Sequence, residues 1–289
     1  MPTIDGDHRM PTIDIDADTT LEYQVYGDQA AEPILLICPT AQNHTVWGAL
    51  AQTLSAEGYR VVCYDHRGIG GSTRGSTKLS MAGLAADAIS LLDALEIERT
   101  HVLGWSLGSA VAQEMAIAHP DRAGALVLYA TWARADVFQR AVMTALRHTW
   151  ATRNMEEILT AMAIVFSPGL INSPSLPAVV SAVLPTMPST DAQITTTIEQ
   201  WDADLLHDTS DRLSSVTNPT LVVAGQEDLL TPAWQGRVVA DAIPGARFEV
   251  FQGSGSSHAL AFERSEESTT LILDFLRKNP LPKTSEVSG

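Results

Sequence analysis

Three side chains far apart in the sequence, Ser106, Asp228 and His258, could together perform acyl transfer. A serine hydroxyl is a weak nucleophile until a base takes its proton, and a histidine base needs a carboxylate to fix its tautomer and orientation. Ser106 sits in Gly104-Trp105-Ser106-Leu107-Gly108, the G-x-S-x-G spacing of a nucleophile carried on a sharp turn from strand to helix. Asp228 follows the apolar run Thr220 to Gly225, and His258 follows the run Ala246 to Phe251 in a stretch rich in Gly and Ser. Each residue alone has an ordinary explanation, since serine and aspartate cap helices and a loop histidine is commonly a surface group. Their order along the chain, Ser then Asp then His, is the order expected with such a turn. Glu227 competes as the acid, but the G-x-x-D spacing from Gly225 favours Asp228.

These residues act together only if the elements around them bring them to one rim. The stretch 100–105 is a short apolar run that reads as a buried strand. Leu107, Val111 and Met115 then recur at helical spacing until Pro120, so Ser106 falls on a turn with almost no loop. Gly104 and Gly108 supply the missing side chains that such a close strand-helix approach needs. Before this unit, 12–15 and 21–26 alternate as an antiparallel pair. Solid apolar runs at 34–38, 60–65, 100–105, 125–130 and 220–225 alternate with helical stretches near 46–57, 80–95 and 233–242. Strands without polar alternation are buried on both faces, which predicts a mostly parallel α/β sheet covered by helices on both sides. The rhythm from 132 to 218 is helical, rich in Met, Trp and Pro and without a strong strand, and reads as an inserted helical cap. The expected organisation is an extension over 1–11, a core made of 12–131 and 219–279, the cap over 132–218, and a loose tail over 280–289.

Composition narrows the chemistry. With 289 residues and 45% hydrophobic side chains, the chain can bury a full core. Its net charge of -16 repels phosphate backbones and anionic lipid surfaces, so neither nucleic acid nor membrane is expected as a partner. No apolar run of about 18 residues is present. The first residues lack the basic and apolar regions of a secretory signal, and a cytoplasmic location is expected. Cys38 and Cys63 lie in apolar runs and read as small buried groups in a reducing compartment. No CxxC or HExxH spacing occurs, so no metal or cofactor is expected, and the expected partner is a small-molecule substrate. A homodimer is left open. The pentapeptide MPTID recurs at residues 1 and 10, too short for a repeat architecture.

From about residue 12 to 278 the chain resembles the α/β-hydrolase superfamily of esterases, lactonases, cofactor-free haloperoxidases and carbon-carbon bond hydrolases. The triad order carries the resemblance, together with Asp65-His66-Arg67-Gly68-Ile69-Gly70-Gly71-Ser72, similar to the family's D-x-R-G-x-G-x-S loop. As a nucleotide fingerprint the same glycines fail, because Thr73 stands where a third Gly is needed. Asp65 and Arg67 are expected to pair and hold this loop. The resemblance implies an eight-stranded sheet with the cap inserted after the sixth strand. It also implies a serine hydrolase acting on an ester, a lactone or a related carbonyl compound with apolar groups. Carbon-carbon bond cleavage, perhydrolysis and a non-catalytic receptor on the same fold are the alternatives. Relatives usually carry His-Gly-x after the third strand, and here Cys38-Pro39-Thr40 stands in its place. Because the oxyanion donor is a main-chain N–H, the exchange is compatible with function, and the donors are expected to be Leu107 and Thr40, with Ala41 as a substitute for the latter. Trp105, Trp132, Ala41 and His44 are the candidate substrate-binding residues. Asn43 and His44 could instead simply begin the following helix.

Overall fold

The computed structural model describes residues 10–282. The first MPTID copy, most of the expected 1–11 extension and residues 283–289 of the expected tail lie outside them. Eight strands form one sheet: β1 (Thr12–Asp14), β2 (Thr20–Tyr26), β3 (Glu32–Ile37), β4 (Tyr59–Tyr64), β5 (Thr100–Trp105), β6 (Ala123–Tyr129), β7 (Thr220–Gly225) and β8 (Arg247–Phe251). Their order is β1-β2-β4-β3-β5-β6-β7-β8, antiparallel at β1-β2 and β2-β4 and parallel from β4 onward. The first helices flanking the sheet are α1 (Gly48–Ala56), α2 (Met81–Ala94) and α3 (Leu107–Ala118).

Between β6 and β7 the described chain is helical, through α4 (Val137–Ala151), α5 (Met155–Met162), α6 (Pro168–Ile171), α7 (Leu176–Val183) and α8 (Asp191–Leu206). After β7 come α9 (Ala233–Ala242), a one-turn α10 (Leu260–Glu263) that the sequence pattern did not suggest, and α11 (Ser265–Lys278). Polar side chains start the inserted helices, with Asp136, Asn154, Ser167 and Thr190 each accepting from a backbone N–H of the first turn. Within the described part of the expected tail, Leu281 donates its N–H to Glu32 and its side chain lies against Gly124.

Successive strand residues point to opposite faces, so the apolar strands feed two cores. Leu35, Val102, Leu126 and Val222 pack with α2, α3 and α9, and this core runs on into Trp132, Trp150 and Trp201 of the insertion. Ile34, Leu36, Leu103, Val127 and Leu221 face α1 and α11. Between these layers, β5 meets α3 so closely that a Cβ on Gly104 would stand 2.1 Å from the Gly108 carbonyl oxygen. A Cβ on Gly108 would meet the Ile37 carbonyl oxygen at the same distance.

The loop after β4 is organised differently from the expected Asp65–Arg67 pair. Arg67 reaches α2 instead, donating to Asp87 from Nε at 2.6 Å and also from Nη2, with Asp16 at 3.6 Å. Asp65 accepts from the N–H of Gly71 at 3.0 Å and from His44. Both residues hold the loop, but each does so through a partner on another element.

Candidate active site

Ser106 has φ 55° and ψ -120°, a conformation L side chains rarely adopt. It is held there by its own N–H donating to the Tyr129 carbonyl at 2.9 Å and by its carbonyl accepting from Ser109 N–H at 2.7 Å and Ser109 Oγ at 2.6 Å. α3 starts at Leu107, and the N–H groups of a first helical turn have no acceptor within the helix.

Asp228 lies three residues beyond β7 and is almost fully buried. Its Oδ1 accepts from the N–H groups of Leu230 and Thr231, each at 2.8 Å, and its Oδ2 accepts from Thr231 Oγ at 2.7 Å. The same Oδ2 lies 2.9 Å from His258 Nδ1, while Thr231 Oγ stands 3.1 Å from that nitrogen. Glu227 turns elsewhere: its carboxylate accepts from Gly255 N–H at 3.1 Å and shapes the loop that carries His258. The His258 carbonyl accepts from the Tyr129 hydroxyl at 2.5 Å. Ser106 and His258, each about 5% exposed or less, line one apolar cavity of about 100 Å³.

Of the residues expected at the pocket, Trp105 and Thr40 line this cavity, and Trp132, Ala41 and His44 do not. Trp132 is fully buried at the seam between insertion and sheet, edge-on to His207 with ring centroids 5.6 Å apart. Ala41 has φ 63° and spends its N–H on Gln200 Oε1 at 2.9 Å, so it is not free to act as an oxyanion donor. His44 is turned to Asp65, with both its N–H (2.6 Å) and its Nδ1 (2.8 Å) on the same Oδ1. Burial pulls the His44 imidazole pKa down, but the hydrogen bond and charge of Asp65, with the charge of Glu22, outweigh it and leave the net shift upward. Asn43 caps the turn His44–Trp47 through Thr45 N–H. Glu22, His44 and Asp65 offer ligand atoms within 4.8 Å of one another. Both Asp65 oxygens already accept from N–H groups, so this cluster is accounted for by its own hydrogen bonds.

Several site residues had no signal in the sequence. Asp204 of α8 accepts from Thr40 Oγ at 2.8 Å, and Thr186 donates to Gln42, which lines the cavity. Glu263 ties the insertion to the His258 loop, accepting from Ser167 N–H at 2.9 Å and Ser257 Oγ at 2.6 Å. From the insertion, Leu159, Met162, Phe166, Val180, Met187 and Trp201 supply much of the apolar wall.

A family model described as the alpha/beta hydrolase fold matches residues 33–262. The chain belongs to this family of enzymes. Among relatives of this α/β hydrolase, the RutD protein of Azorhizobium caulinodans, named as a carbamate hydrolase, is 27% identical over 89% of this chain and 95% of its own. The crystal structure of the enol-lactonase from Burkholderia xenovorans LB400 superposes with a TM-score of 0.80 at 26% identity, covering 90% of this chain and 97% of that one. A thermophilic esterase from Thermogutta terrifontis superposes with a TM-score of 0.74 at 26% identity, covering 90% of this chain and 94% of the esterase. Among the described residues of this α/β hydrolase, no helix is long and apolar enough to cross a membrane.

Proposed function

We propose that this α/β hydrolase cleaves neutral esters, lactones or related carbonyl compounds by acyl transfer through Ser106, with His258 as base and Asp228 as the acid that orients it. One observation carries the reading: Ser106 and His258 share an apolar cavity, and the far side of the imidazole is held 2.9 Å from a buried carboxylate. In the cycle His258 Nε2 takes the Ser106 hydroxyl proton while Oγ attacks the carbonyl carbon. The N–H groups of Leu107 and Thr40 donate to the oxygen that becomes negative. Ala41, whose N–H is committed to Gln200, leaves Thr40 as the donor from that loop. The imidazolium then returns its proton to the leaving oxygen, and the bond to the leaving group breaks. Water, deprotonated by the same nitrogen, attacks the acyl-enzyme, releasing the acid and restoring Ser106. Asp228 keeps Nδ1 protonated and stabilises the imidazolium.

No Lys or Arg lines the cavity among the described residues, which favours an uncharged substrate over a carboxylated one. The activities named for the relatives support the class: carbamate, enol-lactone and ester cleavage all begin by attack on a carbonyl carbon bearing a heteroatom. Two free, buried thiols, Cys38 and Cys63, fit the cytoplasmic location that belongs to this reading.

A panel of p-nitrophenyl esters tests it. Ser106→Ala is expected to lower kcat by about a thousandfold or more. The wild type should be labelled by a fluorophosphonate and the variant should not. Undiminished turnover by Ser106→Ala, with no labelling of the wild type, would remove Ser106 from the chemistry.

A further inference from the structure

The cavity containing Ser106 is small. Its volume of about 100 Å³ is less than the about 150 Å³ that encloses one benzene in an engineered protein core, and well under the about 300 Å³ at which ordinary ligand pockets begin. A second cavity, of about 370 Å³, lies between α1, α11 and the sheet. The two linings have Trp105 and Phe262 in common. These rings meet edge to face with centroids 5.7 Å apart.

The walls of the second cavity are mostly apolar, with Thr53 from α1 and Ser265, Ser268, Thr269 and Thr270 from α11 as the Ser and Thr residues among them. Trp47 comes from the turn just before α1 and Leu50 from α1, Leu103 and Val127 from the sheet, and Ile272 and Leu273 from α11. Glu266 is the one charged residue in its lining among the described residues. Of the two shared rings, Trp105 is fixed, 5% exposed and packed against Trp47, Tyr129 and His258. Phe262 is 38% exposed on the one-turn α10, so its ring is the freer of the two to turn aside.

We propose that the second cavity is the acyl-chain site: a linear apolar chain on the carbonyl attacked by Ser106 passes between Trp105 and Phe262 and lies between α1 and α11. The inference rests on the acyl-transfer reading and adds the substrate class to it, a medium- or long-chain acyl ester. A chain suits the site because the carbonyl end needs only the small cavity, whereas each methylene placed beyond Phe262 leaves water for apolar walls. Each should contribute about fourfold to kcat/KM.

The experiment compares acetyl, butanoyl, octanoyl and dodecanoyl p-nitrophenyl esters on the wild type and on Thr269→Trp, which places an indole in the second cavity from α11. The ratio of dodecanoyl to acetyl kcat/KM is expected to be high in the wild type and to fall more than tenfold in the variant. Fluorophosphonate labelling reports whether the variant is folded. In a parallel measurement, bromododecanol added to the Ser106→Ala protein should quench tryptophan fluorescence, and Trp47→Phe in that background should remove part of the quenching, because Trp47 lines the second cavity alone. An unchanged chain-length ratio in a folded Thr269→Trp, or quenching indifferent to Trp47, overturns the acyl-chain site and leaves serine-dependent hydrolysis intact. If no ester is turned over in a Ser106-dependent way, the functional reading fails instead, and the quenching alone decides whether the cavity takes an alkyl chain.

Discussion

Thr40 owes its place to two side chains of α8. Gln200 and Asp204 stand one turn apart, so they share a helix face, and both reach the loop after β3: Gln200 takes the Ala41 N–H and Asp204 takes the Thr40 hydroxyl. The Ala41 backbone at φ 63° is thus fixed from the insertion rather than by its own preference. Burial pushes the Asp204 carboxyl up to about 8, and the Thr40 hydrogen bond offsets this only in part. A carboxyl raised in the folded state binds a proton there that the unfolded chain has already released. Its full contribution is therefore present below about pH 4 and is lost as pH rises toward 8, at up to about 1.4 kcal/mol per pH unit. His207, which burial lowers to about 4, titrates with the opposite sign over part of this window, so the test is a difference measurement. Asp204→Asn should flatten the fall in the urea midpoint between about pH 5 and 8 relative to the wild type. Parallel curves for the two proteins would mean that Asp204 ionises normally in the folded chain.

At the scale of elements, the turn from β5 into α3 sets the position of Ser106, and it does so by omission of side chains. A methyl group on Gly108 must displace the backbone of β3, because the obstacle at 2.1 Å is a carbonyl oxygen and not a movable side chain. Gly108→Ala should cost about 3 kcal/mol or more in urea unfolding and abolish fluorophosphonate labelling. Gly48→Ala at the start of α1, where nothing lies within 4 Å, should instead stabilise by about 0.5–1 kcal/mol. Equal effects at the two glycines would remove the close-approach argument. This turn was legible in the sequence because a strand rhythm changes to a helical one across two fixed glycines. The loops of Asp228 and His258 were legible because apolar strands lead directly into them. What was not legible depended on packing between distant elements. Arg67 finds Asp87 on α2, His44 turns to Asp65, and Trp132 closes the seam under the insertion, partners that local spacing cannot name. The residues missed altogether, Asp204, Gln200 and Glu263, sit on helices whose polar faces look like ordinary solvent faces until the insertion folds against the sheet.

For the whole molecule, the charge of -16 and the uncharged cavity act in the same direction on substrate choice. The field of the folded chain lowers the local concentration of anions, and a carboxylate that did enter the cavity would meet no Lys or Arg among its lining residues to replace the water it gave up. Screening acts on the first effect alone. At about 0.15 M salt the Debye length is about 8 Å, so exposed charges farther than that from the cavity are largely screened. A matched pair of esters, one butanoyl and one succinyl, separates the contributions. The butanoyl ester's kcat/KM should be nearly independent of salt. The succinyl ester should start well below it and rise as salt is added, without reaching it, because the desolvation of its carboxylate is untouched by distant ions. Added salt should also raise the melting temperature modestly by relieving self-repulsion, a control that the field is being screened. A succinyl ester hydrolysed as fast as the butanoyl one at low salt would require a cation at the site and would overturn the assignment of a neutral substrate.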